Sequence, residues 1–324
     1  MTELQHPLGT GFTAASTGGE VLAGLDLTGT NVIVTGGHSR LGLATTRALA
    51  AAGASVTVAA RDTDRATALT AGIEGAAISQ LDLLDPESID DFAARWTRTG
   101  RPLHVLINNA ALPAPPVVVR DARGYEGQFA TGHLGHFQLT LALLPALRAA
   151  GSARVVNVSS GAHRFGEIRW DDVNFTHDYD PGTGYAQTKK ANVLFAVELD
   201  RRYAADGIRG YALHPGVVIA GDSGFSPEAL RAMGLMDEAG QPIIDPEAGK
   251  KTPEQGAATI VFAATSPLLD GVGGVYLKDS DISMVDDEQH PLTADRIPSE
   301  ATSSSLDPTA ARRLWELSED LLRR

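Results

Sequence analysis

T-G-G-H-S-R-L-G, from Thr35 to Gly42, stands between the apolar run Asn31-Val32-Ile33-Val34 and a run of small residues from Leu43 to Ala50. A glycine-rich turn that joins a strand to a helix presents backbone N–H groups and the positive helix end to a phosphate. Glycine turns are common, so the reading depends on what surrounds this one. Arg40 adds a question, because it occupies the place where a third glycine is expected.

Working outward, short apolar runs alternate with helical spacing. The expected strands are Asn31–Thr35, Ser55–Ala60, Ala76–Leu81, Leu103–Asn108, Arg154–Ser159, Ile208–His214 and Gly274–Leu277. The expected helices are Gly42–Ala52, Asp62–Ala71, one opened by Asp85-Pro86-Glu87-Ser88, Tyr125–Ala149, Tyr185–Ala205 and Ala310–Leu322. Asp85 suits an N-cap and Pro86 the first turn. Strands alternating with helices predict an α/β fold, a single doubly wound parallel sheet of the Rossmann type. Residues 1–29 lack a clear period and read as an N-terminal arm, with one short helix within Thr17–Leu25. The Rossmann domain is expected over 30–324. The irregular stretch at about 216–251 reads as a substrate lid, since loops of that length usually carry a function.

The 324 residues carry a formal charge of −13 and no cysteine. An acidic chain repels nucleic acid and anionic lipid, so neither is an expected partner. Disulfides and thiolate chemistry are excluded. The apolar fraction of 43% supports a large core. No apolar run approaches the roughly 18 residues of a membrane helix. The opening Met-Thr-Glu-Leu-Gln-His-Pro lacks a signal-peptide pattern. A cytoplasmic protein is expected.

The chemistry gathers where strands end. Arg61 follows the second strand, where an arginine accommodates a 2′-phosphate and an acid binds a ribose 2′-OH. Arg61 therefore favours NADP, with Asp62 beside it as the argument for NAD. Asp82 follows the third strand, within reach of an adenine amino group. Asn108-Asn109-Ala110-Ala111 ends the fourth at the ligand-binding edge. In Tyr185-Ala186-Gln187-Thr188-Lys189, tyrosine and lysine lie one helical turn apart. A lysine there lowers the phenol's pKa from about 10 and makes it a general acid/base. Ser159 and Ser160 end the fifth strand at the same edge. Lys190 points about 100° away from the face of Tyr185. His133 and His136 are three apart with no third ligand close by, so no metal is expected.

These residues resemble the short-chain dehydrogenase/reductase family, in the branch of retinol dehydrogenases, WW-domain oxidoreductases and many bacterial oxidoreductases. The resemblance spans nearly the whole chain: S-T-G-G-E-V-L-A-G-L-D-L-T-G, V-V-N-V-S-S-G-A-H, K-A-N-V-L-F-A-V-E-L, H-P-G at His214–Gly216 and T-S-P-L-L-D-G-V-G-G-V-Y. It implies an oxidoreductase acting between an alcohol and a carbonyl. Tyr185 would be the proton donor and acceptor, Lys189 would hold the nicotinamide ribose, and Ser160 would orient the substrate oxygen. The cofactor would lie against Gly36, Ser39, Arg40, Leu41 and Gly42 of the turn, then Arg61, Asp82, Leu83, Asn109 and Ala110. Pro215, Gly216 and Val218 would complete the cradle with Tyr185 and Lys189. The substrate is expected to be apolar, from Phe225, Leu230, Met233, Leu235 and Met236 in the lid. A homodimer through the helices at Tyr125 and Tyr185 is the implied partnership.

Four positions depart from the family pattern. Arg40 replaces the turn's central glycine, Gly132 the asparagine of the proton relay, Ala111 the glycine of N-N-A-G, and Ala220 a threonine that bonds the cofactor. Together they raise an alternative: the same fold with non-redox chemistry, such as dehydration, cyclisation or isomerisation, and weak or lost cofactor binding. Arg40 is expected to handicap the turn, because glycine permits positive φ and close approach to phosphate.

Overall fold

The computed structural model describes residues 4–219 and 226–323. Eight strands form one sheet in the order β3-β2-β1-β4-β5-β6-β7-β8. They are β1 Asn31–Thr35, β2 Ser55–Ala60, β3 Ala76–Gln80, β4 Val105–Asn108, β5 Ala153–Val158, β6 Ile208–His214, β7 Val275–Lys278 and β8 Asp281–Ile282. The first seven are parallel; β8 returns antiparallel to β7. That hairpin turns on Asp279 and Ser280, both at positive φ, as a two-residue loop requires.

The strands read as continuous apolar runs because helices cover both faces. On β1, Val32 and Val34 join one core and Ile33 the other. The first layer holds α1 (Gly18–Val21), α2 (Arg40–Ala51) and α3 (Thr63–Thr70). The opposite layer holds α4 (Pro86–Arg98), α5 (Gly127–Phe129), α6 (Gly135–Ala149) and α7 (Pro181–Tyr203). The short α8 (Pro227–Ala232) lies in the irregular stretch after β6. α9 (Pro253–Thr265) completes the first layer, and α10 (Pro308–Arg323) lies outside the second.

The single helix expected over Tyr125–Ala149 is interrupted. Between α5 and α6, Ala130–Leu134 widens into a turn in which Gly135 N donates to Ala130 O. Such widened turns concentrate at functional sites. α7 is buried along Ala186–Asp200 because α10 lies across it. Trp315 of α10 packs against Phe137, Phe195 and Tyr203. The Tyr125 hydroxyl donates to Leu321 O at 2.7 Å. The arm docks at the far edge, where Gln5 Nε2 donates to Tyr276 O at 2.8 Å. Among the described residues no helix is long and apolar enough to cross a membrane.

Candidate active site

The glycine turn and the carboxyl ends of β1 to β5 share one sheet edge. Gly36 turns the chain at φ +62. Ser39 caps α2 with extended backbone, but its hydroxyl donates back to Gly36 O at 2.7 Å. The first N–H groups of α2 therefore have no side-chain cap and face outward, the arrangement that receives phosphate. A Cβ on Gly42 would overlap Gly36 O and stand 2.9 Å from Asn109 Nδ2. Asn109 Nδ2 donates to Thr35 O at 2.8 Å, and the Asn109 and Ala110 N–H groups donate to Thr35 Oγ1 at 2.9 and 3.0 Å. Asn109 thus shapes the turn from behind.

The structure corrects the argument about Arg40. Arg40 is the first residue of α2, so its backbone is helical; the left-handed conformation falls on Gly36. Its guanidinium Nη1 donates to Val218 O at 3.3 Å, linking the turn to the loop after β6. Leu41 and Val218 pack together against Gly256 of α9. Pro215 leads into Gly216 at φ +86, and Val217 N donates to Gly249 O at 2.7 Å, tying this loop to the segment before α9. Leu230 of α8 is buried, whereas Met233, Leu235 and Met236 are half-buried. Ala220 and Phe225 lie outside the described residues.

A crevice of about 280 Å³ follows this edge past β2, β3 and β4. Gly36, Ser39, Arg61, Asp82, Leu83 and Ala110 line it, together with Ala111. So do His38, Arg65 and Thr131, which the sequence reading missed. Thr131 was findable only once the widened turn turned its hydroxyl inward. The Asp62 carboxylate caps α3, accepting from Arg65 N at 2.9 Å. Asp82 Oδ1 accepts from Leu84 N at 3.0 Å. An uncapped helix start, a glycine cradle and basic side chains at the end of β2 fit a nicotinamide dinucleotide.

Ser160, Tyr185 and Lys189 converge at the middle of the edge. Asp180 caps α7 by accepting from Thr183 N at 2.7 Å, and Pro181 sets its first turn. α7 is then stitched to β5: Ser159 Oγ donates to Lys189 O at 2.6 Å and Lys189 Nζ donates to Val158 O at 3.0 Å. This brings Tyr185 beside the Ser160 side chain at the end of β5. Burial pushes the Tyr185 phenol up from its ordinary range, and the Ser160 hydroxyl pulls it back. Burial brings the Lys189 ammonium down to about 8. Its Nζ stands 5.4 Å from the Tyr185 ring centre.

The neighbouring candidates have other tasks. Lys190 Nζ reaches Glu167 Oε1 at 2.5 Å and Ser304 Oγ at 2.8 Å, away from Tyr185. His133 Nε2 meets Ser318 Oγ and His136 Nε2 meets Thr35 Oγ1, both at 2.8 Å, so the two rings diverge. Burial holds them near 3 and 4, hence neutral.

Gly132 has a steric reason. A Cβ there would stand 2.5 Å from Thr188 Cγ2 on α7. Gly132→Asn should therefore destabilise the fold by about 1–3 kcal/mol through overpacking. It should add no activity, and Thr188→Ser beside it should recover stability. Thermal unfolding checks this; an unchanged Tm in the single variant would contradict the packing argument.

The comparisons agree with this geometry. The family described as short chain dehydrogenase matches residues 30–223. A "Probable oxidoreductase" of Streptomyces antibioticus is 45% identical over 307 residues, covering 92% of this chain and 99% of that one. Human "Retinol dehydrogenase 11" is 33% identical, with 92% and 87% covered. A crystal structure of an uncharacterized protein from Mycobacterium paratuberculosis superposes with TM-score 0.70 at 31% identity, over 96% of this chain and 97% of that one. With its glycine turn, crevice along β2 to β4 and Ser160–Tyr185–Lys189 edge, the chain belongs to the short-chain dehydrogenase/reductase family, as an oxidoreductase of the nicotinamide-using kind.

Proposed function

We propose that the protein is an NADP-dependent oxidoreductase that interconverts an alcohol and a carbonyl on an apolar substrate, with Tyr185 as general acid/base. The carrying observation is Tyr185 at the same sheet edge as Ser160, one helical turn from Lys189, whose Nζ stands 5.4 Å from the Tyr185 ring centre, beside a turn suited to phosphate. When bound, the nicotinamide supplies or accepts the hydride. The protein's share is the proton and the geometry. Ser160 orients the substrate oxygen, and Tyr185 gives its phenolic proton to that oxygen or takes one from it. Lys189 adds positive charge behind the phenol, which favours phenolate once substrate displaces water. Gly36, Ser39, Leu41 and Gly42 would hold the pyrophosphate. Asp82 and Leu83 would flank the adenine, with Asn109 and Ala110 beside the ribose. Pro215, Gly216 and Val218 would border the nicotinamide.

Cofactor choice follows from the end of β2. Asp62 is occupied in capping α3, whereas Arg61 is exposed on the crevice with Arg65 near it. A guanidinium there pairs with a 2′-phosphate that only NADP carries. Arg61→Ala should weaken NADPH by about tenfold, the worth of one charge-assisted contact of about 1.4 kcal/mol, and leave NADH nearly unchanged. Fluorescence titration of both cofactors tests this; equal losses would remove the argument for NADP.

An apolar substrate is supported by the half-buried Met233, Leu235 and Met236. The name of the human relative, retinol dehydrogenase, denotes an apolar alcohol. A cytoplasmic setting completes the proposal. A homodimer through the helices at Tyr125 and Tyr185 would have to displace α10, which already covers α7. The expected species with respect to that face is a monomer. Sedimentation of the intact chain checks it; a dimer disrupted by substitutions on α7 would contradict it.

A further inference from the structure

Behind Ser160 lie two buried imidazoles that the chemistry above does not use. His163 is fully buried and His214 is 3% exposed. Both grip the same peptide unit. His163 Nδ1 stands 2.7 Å from Ser160 O, and His214 Nδ1 stands 3.1 Å from Gly161 N. Ser160 O and Gly161 N–H are the two ends of one peptide plane.

A carbonyl only accepts, so His163 Nδ1 carries hydrogen; an amide N–H only donates, so His214 Nδ1 is bare. Among the described residues neither Nε2 has a hydrogen-bond partner, so the Nδ1 contacts set the tautomers. The two rings must then be opposite tautomers. We propose that His163 and His214 are positioning residues, a pair of neutral imidazoles of opposite tautomer that clamp the Ser160–Gly161 peptide and so aim the Ser160 hydroxyl at Tyr185. The inference rests on the oxidoreductase reading above.

The surroundings support the clamp. Ser160 sits in extended backbone where β5 gives way to the tight turn Gly161–Phe165, and its carbonyl also accepts from His163 N at 3.1 Å. Gly161 packs under Pro298 O, where a Cβ would stand at 2.5 Å. The His163 ring centre lies 4.8 Å from that of Tyr276. A protonated His214 would set a second donor against Gly161 N–H and release the peptide. Burial holds His214 well below its ordinary pKa, aided by Lys251, Lys278 and His163 and opposed by Glu300. Lys278 is paired with Glu300 at 3.0 Å and Lys251 with Asp279 at 2.5 Å. Burial holds His163 near 4, with the Ser160 carbonyl opposing and Lys190 and Arg164 assisting.

The direct test is long-range ¹H–¹⁵N spectroscopy of the whole protein labelled at histidine, assigned by single substitution. The expected spectrum shows His163 as the Nδ1–H tautomer and His214 as the Nε2–H tautomer, both unchanged on going from neutral to mildly acid pH. Two Nε2–H rings, or a His214 that titrates in the ordinary histidine range, would overturn the clamp. Kinetics give the second readout. His214→Leu should lower kcat on the order of 10²-fold by misplacing Ser160, with NADPH affinity unchanged. The apparent pKa of the alcohol-oxidising limb should move up, because the Ser160 contact that lowers the phenol is lost. His214→Asn, whose Oδ1 replaces Nδ1 as acceptor, should restore most of the rate. Full activity in the leucine variant, or no rescue by asparagine in a folded protein, would overturn the proposal. A wild-type protein that binds no NADPH sinks the redox reading instead, and the tautomer spectrum then decides the clamp alone.

Discussion

Tyr185→Phe is expected to cut turnover by about 10²–10⁴-fold, the usual contribution of a positioned general acid/base. The substitution deletes one oxygen and keeps the ring, so packing around the half-buried side chain is preserved. The Ser160 hydroxyl keeps the Ala162 N–H, which it accepts at 3.2 Å. Lys189 stays anchored to Val158 O. Unfolding temperature and NADPH affinity should therefore change little while kcat collapses. A phenylalanine variant retaining more than about a tenth of the activity would show that the proton moves by another route.

Gly42→Ala should weaken cofactor binding by about tenfold to a hundredfold, with a smaller effect on fold. The added methyl has nowhere to go. It overlaps Gly36 O and presses on Gly37 Cα and Asn109 Nδ2, the atoms that shape the phosphate turn. Relieving that overlap costs about 1–3 kcal/mol, which translates into the stated loss if the turn opens in response. Calorimetric titration with NADPH measures it, and circular dichroism reports the fold. Wild-type affinity in the alanine variant would mean that the phosphates do not rest on this turn.

Most of the sheet was legible because its signal is local: continuous apolar runs of four to seven residues, each followed by a turn residue. β1, β2 and β6 begin and end where the pattern predicts. α9 was not among the expected elements. Its capping box, Thr252 with Gln255, was the available sign, but Gly256 in the first turn and the β-branched Thr259, Ile260 and Val261 weaken a helical reading. β8 is only two residues long and carries no period. The widened turn at Ala130–Leu134 leaves no compositional trace, and Gly132 within it faces Thr188 of α7 only once the chain is folded.

The site was legible in its residue types and less so in its electrostatics. Spacing placed Tyr185 and Lys189 on one face and put Ser160 at the same edge. It did not reveal that Val158 O holds the lysine ammonium. Arg40 was misjudged because the turn was taken to be longer than it is; α2 starts at Arg40 itself. His163 and His214 stood in quoted motifs, S-S-G-A-H and H-P-G, yet their convergence on one peptide depends on β5 and β6 being neighbours.

The central claim is that this sheet edge binds NADP for hydride chemistry despite its departures from the family pattern. Calorimetric titration of the intact protein with NADPH and with NADH tests it most directly. The account predicts saturable NADPH binding at about 1 μM–1 mM, the usual range for enzyme ligands. It also predicts NADH binding about tenfold weaker, for want of the 2′-phosphate contact at Arg61. Failure of both cofactors to bind at millimolar concentration would contradict the claim and leave Ser160, Tyr185 and Lys189 to a non-redox acid/base reaction.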